Sequence, residues 1–168
     1  KNILFFFFLC VPFIKTGGLA DVVGALPKYL DKERYDVRVM LPNYMCIPAK
    51  YKEKMQYKTH FYMELAWRNQ YVGVLEAVID GITFYLIDNE YYFDRETEYG
   101  QSDDGERFAY FSKAVLEAVV KLDIRPDVIH CNDWQTALVP VFLHAFYTEQ
   151  LSGVKTVFTI HNIEYQGW

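Results

Sequence analysis

The chain begins with a nearly unbroken apolar run at residues 3–14, which includes four consecutive phenylalanines. An export signal would need small residues at a cleavage site after such a run, and "CVPFIK" contains no pair of that kind. A membrane span needs about 20 apolar residues, and this shorter run is interrupted by Pro12. A strand that is covered on both faces reads as a continuous apolar run, so we predict a buried first strand of a parallel sheet.

A glycine turn and an amphipathic pattern follow this predicted strand. The turn is K-T-G-G at residues 15–18, and apolar residues then recur every three or four positions across residues 19–30, as they do in a helix that covers a sheet. A second apolar strand occupies residues 35–42. Strand, glycine turn, helix and strand in this order are typical of a βαβ unit, whose ligands bind at the carboxyl ends of the strands.

The rest of the chain alternates between strand and helix patterns, with one antiparallel interruption. Three strand-like stretches lie between residues 57 and 88, and Asp80-Gly81 joins the last two as a hairpin signal. A polar, aromatic segment at residues 89–108 reads as a long loop. Further patterns predict a helix, a strand, a helix and a strand, in that order, at residues 104–122, 126–133, 134–150 and 155–162. We therefore predict an α/β fold, a doubly wound and mostly parallel sheet with an antiparallel hairpin insertion, in a single domain over residues 1–168.

The charge and the cysteines limit the partners that this chain can have. A net charge of −5 and an isoelectric point near 5.4 give no basic surface for nucleic acid or anionic lipid, so we expect neither nucleic acid nor membrane as a partner. Cys10, Cys46 and Cys131 are far apart and form no C-x-x-C pair, which argues against disulfides and zinc and favours three small buried side chains in a reducing compartment. The histidines show no H-x-x-H or H-E-x-x-H spacing, and we predict no metal and no other cofactor.

Polar residues follow three of the predicted strands at the point where each strand ends. They lie at residues 15–18, 130–133 and 161–162. Because the carboxyl ends of the strands of an open α/β sheet line the ligand crevice, we expect these residues to converge there.

Each of these groups has a functional and a structural interpretation. The K-T-G-G turn fits neither a P-loop nor a dinucleotide fingerprint, but its backbone N–H groups and the Lys15 ammonium suit a phosphate; alternatively, Lys15 is a solvated lysine in a tight turn. Asp133 could cap the following helix while Trp134 packs in the core, and this role would not exclude a ligand contact. A lone histidine is more often a structural hydrogen-bonding residue than a catalyst, but His161 ends a β-branched run and leaves the sheet at the crevice, which favours a functional role.

Six motifs of this chain resemble those of the bacterial glycogen synthases and plant starch synthases. They occur in the order found in that family and span nearly the whole chain, and the first is among the most specific signatures of the class. The motifs are "KTGGLADVVGALPKYL" (15–30), "DVRVMLPNY" (36–44), "YFDR" (92–95), "ERFAYFSKAVLEA" (106–118), "DVIHCNDWQTALVPVFL" (127–143) and "TVFTIHNIEYQG" (156–167).

The resemblance implies the amino-terminal, acceptor-side half of a GT-B glycosyltransferase, in which two Rossmann-like domains face each other across a cleft. Such enzymes are cytoplasmic and transfer glucose from ADP-glucose to the non-reducing end of glycogen or another α-1,4-glucan, with retention and without a metal. By resemblance, Lys15 contacts the phosphates of the donor, and Asp21 lines the glucose and acceptor part of the cleft. The resemblance assigns His161 and Asp133 as catalytic residues and, as substrate-binding residues, Lys15, Thr16, Gly17, Gly18, Asp21 and Asn162.

The chain departs from the family pattern in two respects. The family usually has a small residue followed by Ser-Glu where this chain has Phe7, Phe8 and Leu9, so an acidic group facing the acceptor is missing. By the same resemblance, we expect the carboxyl-terminal nucleotide-sugar-binding domain of the same enzyme to be absent from this chain. We therefore expect the chain alone to be inactive or nearly so, and its exposed crevice edge to promote association.

Two other functions are compatible with the residues. One is a GT-B glycosyltransferase that uses UDP-glucose or another donor or acceptor, and the other is a non-catalytic module that binds nucleotide or α-glucan. A secreted protein is the least favoured interpretation.

Overall fold

A computed structural model describes residues 1–9, 13 and 24–164 of the chain. In this part, seven strands form one sheet, and their bounds are β1 (Asn2–Phe6), β2 (Asp36–Pro42), β3 (Gln56–Leu65), β4 (Arg68–Ile79), β5 (Ile82–Asp88), β6 (Val128–Asn132) and β7 (Lys155–Thr159). The helical segments of the same part are residues 24–29 (α1), α2 (Ala49–Lys52), α3 (Glu90–Phe93), α4 (Asp104–Lys121), the short 3-10 helix Trp134–Thr136, and α5 (Leu138–Phe146).

The strands lie in the order β3-β4-β5-β2-β1-β6-β7. The five strands from β5 to β7 in this order run parallel, whereas β3, β4 and β5 pair antiparallel. This arrangement confirms the predicted α/β class and the antiparallel hairpin beside a mostly parallel sheet. The hairpin turn contains the predicted Asp80-Gly81 pair, and both residues have a positive φ, as a tight turn of this type requires.

Strand β1 lies in the middle of the parallel part, between β2 and β6. The chain first extends the sheet on one side, through β2, and then returns to the other side of β1 with β6 and β7. The order of strands therefore reverses between β1 and β6. In open α/β sheets the ligand crevice lies outside the carboxyl ends of the strands at such a point.

The amino-terminal run is buried beyond the end of its strand. Phe5 and Phe6 are buried in β1, and the chain stays buried through Leu9, although the strand ends at Phe6. The backbone N–H of Phe7 still donates to the carbonyl of Met40 at 3.0 Å, and the ring of Phe8 packs edge-on against Phe108. The prediction of a buried strand is thus confirmed but too long, because a continuous apolar run does not distinguish a strand from a buried loop. The residues that differ from the family pattern are part of the core.

One predicted helix and one predicted loop differ from the structure. The helix predicted over residues 134–150 is divided into the 3-10 helix and α5, with Pro140 in the first turn of α5, where a missing N–H does not disrupt helical hydrogen bonds. The predicted loop 89–108 contains α3, whose first turn is capped by the Asn89 side chain accepting from the N–H of Tyr92 at 3.1 Å. Helix α4 agrees with its predicted range, 104–122, except at its last residue.

The cysteine prediction is partly wrong. Cys131 is buried in β6, as expected, but Cys46 is exposed in the loop that follows β2. The Cys46 thiol donates to the Glu98 carboxylate at 3.3 Å, a polar contact that explains why this side chain need not be buried. Cys10 lies outside the described residues.

Apolar side chains are exposed on β7 and α5. Val157 and Phe158 of β7 and Val141 and Phe146 of α5 all lie at the surface of the described structure. The association that we expect at an exposed edge stays a prediction. In the described ranges no helix has the length and the apolar content needed to cross a bilayer.

We expect Phe6→Ala to lower the free energy of unfolding by about 3–5 kcal/mol, because it removes a fully buried ring from the central strand and leaves a cavity. Urea denaturation of the complete protein that carries this sequence measures the change. Trp67→Ala, at a surface position that is 87% exposed, is the matched control and should change stability by less than about 0.5 kcal/mol. A similar effect of the two variants would contradict this account of the core.

Candidate active site

The carboxyl ends of β1, β6 and β7 bring Asp133 and His161 together. The backbone N–H of Asp133 donates to the carbonyl of Thr159 at 2.9 Å, which continues the parallel β6–β7 pairing past the end of β6. The backbone N–H of His161 in turn donates to Asp133 Oδ1 at 2.8 Å. The two residues predicted to be catalytic therefore contact each other at the predicted crevice, while their catalytic roles stay a prediction.

The Asp133 carboxylate is buried and only half satisfied. Asp133 is only 6% exposed, and the Oδ2 atom of its carboxylate has no hydrogen-bond partner among the described residues. A buried carboxylate oxygen without a donor is energetically unfavourable. A donor brought to this oxygen, such as a ligand hydroxyl, would satisfy it.

The capping role predicted for Asp133 is wrong. The Asp133 side chain makes no hydrogen bond to the helix that follows it, because it is turned towards His161 instead. The hydroxyl of Thr136 supports this turn by donating to the carbonyl of Asn132 at 2.8 Å. Trp134 is partly buried and packs edge-on against Phe108, with the ring centres 5.2 Å apart, in agreement with the predicted core contact.

The backbone of Asp133 is strained. Its φ of 61° and ψ of 174° fall in a region that is populated almost only by glycine. A conformation of this kind costs about 1–3 kcal/mol and persists only where surrounding contacts hold it. The hydrogen bonds of Asp133 with Thr159 and His161 are such contacts, and in this conformation the carboxylate accepts from the backbone of His161.

The strain at Asp133 can be measured by comparing two substitutions that both remove the carboxylate. We expect Asp133→Gly to be more stable than Asp133→Ala by about 1 kcal/mol or more, since only glycine adopts this φ and ψ freely. Thermal unfolding of the two variants of the complete protein measures the difference. At Glu53, where φ is −63°, the same pair should show the opposite order. A more stable alanine variant at position 133 would exclude the strain.

His161 and Asn162 differ in their surroundings. His161 is exposed just beyond the carboxyl end of β7, and its Nε2 atom is 3.0 Å from Oδ1 of the buried Asn132. Asn162 is exposed, and its side chain accepts a hydrogen bond from the N–H of Glu164 at 3.0 Å, which stabilises a local turn. The described structure thus connects His161 with the polar cluster and gives Asn162 a local contact. The predicted substrate contact of Asn162 stays a prediction.

The predicted phosphate-binding turn and its neighbour lie outside the described residues. This applies to Lys15, Thr16, Gly17, Gly18 and Asp21. Their predicted roles in substrate binding stay predictions.

Asn132 and His130 belong to the polar cluster; the sequence places them at the crevice edge with residues 130–133 but assigns neither a catalytic nor a binding role. Asn132 contacts the His161 ring, as described above. His130 Nε2 lies 2.7 Å from the hydroxyl oxygen of Thr159, and the ring packs on Phe5 with centres 5.0 Å apart. Burial and the neighbouring His161 lower the pKa of His130. Both residues lie in the "HCNDW" motif, so the position of the motif at a strand end was the signal that could have identified them.

A buried arginine anchors the loop between α3 and α4 beside the crevice. The fully buried Arg107 donates from Nε to the carbonyl of Tyr92 at 2.6 Å, and from Nη1 to the carbonyl of Glu98 at 3.1 Å and to Asp104 Oδ1 at 2.8 Å. The same loop places the Tyr99 ring edge-on against Phe8, with centres 5.8 Å apart. The loop is therefore tied to the core near the end of β1.

In the part of the chain that the structure describes, no three His, Cys, Asp or Glu side chains are grouped as metal ligands.

The lowered pKa of His130 predicts a pH effect on stability. A histidine whose folded pKa lies below its unfolded value, near 6.5, binds its proton more readily in the unfolded chain, so its contribution to stability is present above pH 6.5 and is lost as the pH falls. We expect His130→Gln to lose less stability than the parent protein between pH 8 and pH 5, as measured by urea denaturation. His144→Gln, at an exposed position of α5, is the matched control. An equal change in both variants would contradict the prediction.

The sequence of this chain is similar to those of known proteins. The sequence model of the family described as "Starch synthase catalytic domain" matches residues 2–168. The chain is 58% identical to a glycogen synthase of Lachnospira eligens and 59% identical to one of Lachnoclostridium phytofermentans, in each case over 99% of this chain and 36% of the relative. A glycogen synthase of Bacillus cytotoxicus is 55% identical, over 99% of this chain and 35% of the relative. The chain thus spans about a third of the length of these relatives.

A solved structure has the same fold. The catalytic domain of Starch Synthase IV from Arabidopsis thaliana, bound to ADP and acarbose, matches with a TM-score of 0.89 at 30% sequence identity. The match covers 98% of this chain and 34% of the plant protein chain.

Proposed function

We propose, since this chain belongs to the family of starch synthase catalytic domains, that the complete protein is a glycogen (starch) synthase. It transfers glucose from ADP-glucose to the non-reducing end of an α-1,4-glucan, with retention at the transferred carbon. The observation that carries the proposal is the position of Asp133 and His161, which lie in contact at the switch point of a sheet whose sequence matches this family along residues 2–168.

The polar cluster suits a sugar. A half-satisfied buried carboxylate accepts a hydrogen bond from a hydroxyl, and a histidine beside it offers a second polar group to the same ligand. A glucan is neutral, so its binding needs no basic surface, in agreement with the net charge of −5. The acarbose bound to the Arabidopsis protein supports a glucan as the acceptor.

The ADP bound to the same plant protein supports an ADP-sugar as the donor. Cleavage of the bond between glucose and the diphosphate leaves negative charge on the departing ADP and positive character on the sugar carbon. In our proposal Lys15 and the backbone of Gly17 and Gly18 stabilise the negative charge, while Thr16, Asp21 and Asn162 contribute to substrate binding. Asp133 and His161 hold the glucose and act at the reacting end.

We further propose that residues 1–168 are one amino-terminal, acceptor-side domain of a GT-B enzyme in the cytoplasm. A second, nucleotide-sugar-binding domain of the same protein would close the cleft. The coverage of about a third of the curated relatives supports this division. It also supports the expectation that these residues alone transfer little or no glucose.

The proposal is tested by measuring the incorporation of labelled glucose into glycogen by the complete protein, with ADP-glucose and with UDP-glucose as donors. We expect ADP-glucose to be the better donor. Lys15→Ala should lower kcat/KM for ADP-glucose by about a hundredfold or more, because a fixed cation at the leaving phosphates is removed.

Lys121→Ala is the matched control, because Lys121 is exposed at the carboxyl end of α4, at the opposite edge of the sheet. It should leave the rate unchanged. If only UDP-glucose supported incorporation, the donor would be UDP-glucose and the assignment of ADP-glucose would be wrong. Glucan binding without transfer from either donor would favour a non-catalytic module and contradict the proposal.

A further inference from the structure

The side chain of Asn132 links the central strand to the His161 ring. Asn132 is the last residue of β6 and is only 2% exposed. Its Nδ2 atom lies 3.4 Å from the carbonyl oxygen of Phe6 in β1 and 3.3 Å from the carbonyl oxygen of His130, while its Oδ1 atom lies 3.0 Å from Nε2 of His161. The amide therefore contacts the backbone on one side and the imidazole on the other.

These contacts leave only one orientation of the Asn132 amide. Carbonyl oxygens can only accept hydrogen bonds, so the NH2 group must face Phe6 and His130. Rotating the amide by half a turn would place its oxygen against these two carbonyl oxygens at 3.3–3.4 Å, and two acceptors at that distance repel each other. The amide oxygen must then face His161.

The orientation of the amide determines the tautomer of His161. An amide oxygen accepts but cannot donate, so Nε2 of His161 must carry the hydrogen. In the neutral ring Nδ1 is then the bare nitrogen and accepts hydrogen bonds. Nδ1 makes no hydrogen bond with the described residues, and the bond from the His161 backbone N–H to Asp133 fixes the backbone that carries the ring.

The charged and titratable groups of the neighbouring elements are few in the described part of the chain. β6 and the residue after it contribute His130, the buried Cys131 and Asp133, and β7 contributes the neutral hydroxyl of Thr159 at its carboxyl end and Lys155 at its amino end. His130 has its own partner in Thr159, and Asp133 contacts the backbone of His161 through Oδ1. The described contact that discriminates between the two ring nitrogens of His161 is therefore the one with Asn132.

We propose that Asn132 is a positioning residue that holds His161 in the Nε2-protonated tautomer, so that Nδ1 accepts a hydrogen bond from a sugar hydroxyl. The proposal rests on the function proposed above, because it takes the ligand in the crevice to be a sugar. Asn132 itself acts through the imidazole and not on the reacting atoms.

Two substitutions in the complete protein separate this role from a merely structural one. Asn132→Ala leaves the tautomer free, and we expect kcat for glucose transfer to fall by about tenfold to a hundredfold, with a smaller change in KM for the donor. Asn132→Asp places a carboxylate next to Nε2 and stabilises the imidazolium, whose Nδ1 donates and cannot accept. We expect the acidic limb of its profile of kcat/KM against pH to move to higher pH by about one unit. Asn69→Ala, at an exposed position of β4, is the matched control.

The pH profile provides the outcome that would contradict the proposal. If Asn132 only supported the fold, Asn132→Asp would lose activity to the same extent at every pH, and its profile would keep the position of the parent profile. A double variant gives a second criterion. If Asn132 acts through the imidazole, adding Asn132→Ala to His161→Ala should cause little further loss, whereas independent effects would multiply.

A measurement that needs no activity distinguishes failure of this proposal from failure of the proposed function. In the complete protein labelled with ¹⁵N-histidine, long-range nitrogen–proton correlations identify the protonated ring nitrogen, and His161→Gln assigns the signal. We expect the Nε2-protonated form in the parent protein and mixed tautomers in Asn132→Ala. An Nδ1-protonated His161 would overturn the proposal even if glucose transfer is observed. If the complete protein shows the expected tautomer but transfers no glucose, the tautomer assignment holds and the proposed function is refuted.

Discussion

The parallel pairing of β1 with β6 is the interaction on which the rest of this structure depends. It places Phe6 opposite Cys131 and so brings the end of the first strand next to the "HCNDW" motif, more than a hundred residues later in the chain. Burial of the apolar side chains Leu4, Phe5 and Phe6 of β1 stabilises this pairing. The Asn132 amide adds a polar link at the same place by donating to the Phe6 carbonyl. Without this pairing the polar residues at the strand ends would not share a crevice.

The polar cluster at the crevice is built from groups that are unfavourable when taken alone. Asp133 combines a buried carboxylate oxygen that has no described donor with a backbone conformation that is rare outside glycine. Neither feature contributes to stability, and the apolar core below the crevice offsets both. Such local conflicts concentrate at functional sites, where the surrounding structure holds a group in the geometry that a ligand needs. The cluster therefore supports a binding function more directly than the presence of an aspartate and a histidine would.

Much of the fold could be predicted because local patterns are strong in this chain. The helical pattern of α4, the strand-like stretches of the hairpin and the Asp80-Gly81 turn each depend on neighbours within a few residues, and the structure agrees with them. The errors occur where distant contacts decide. The Asp133 carboxylate does not cap the helix that follows it, because it accepts a hydrogen bond from the backbone N–H of His161, which lies far along the chain. Cys46 is exposed in the loop after β2, where its thiol contacts Glu98, a contact that no local pattern indicates.

By itself, the sequence determined the class of the fold, the order of its elements and the strand ends at which polar residues occur, because these follow from periodicity and turn chemistry over short stretches. Only the tertiary structure decided which of those residues meet. The contact of Asp133 with the His161 backbone, the strain at Asp133 and the orientation of the Asn132 amide between β1 and the His161 ring all need atoms from strands that are remote in sequence. Hydrogen-bond direction depends on which acceptor lies nearby in space, and that information exists only once the sheet has assembled.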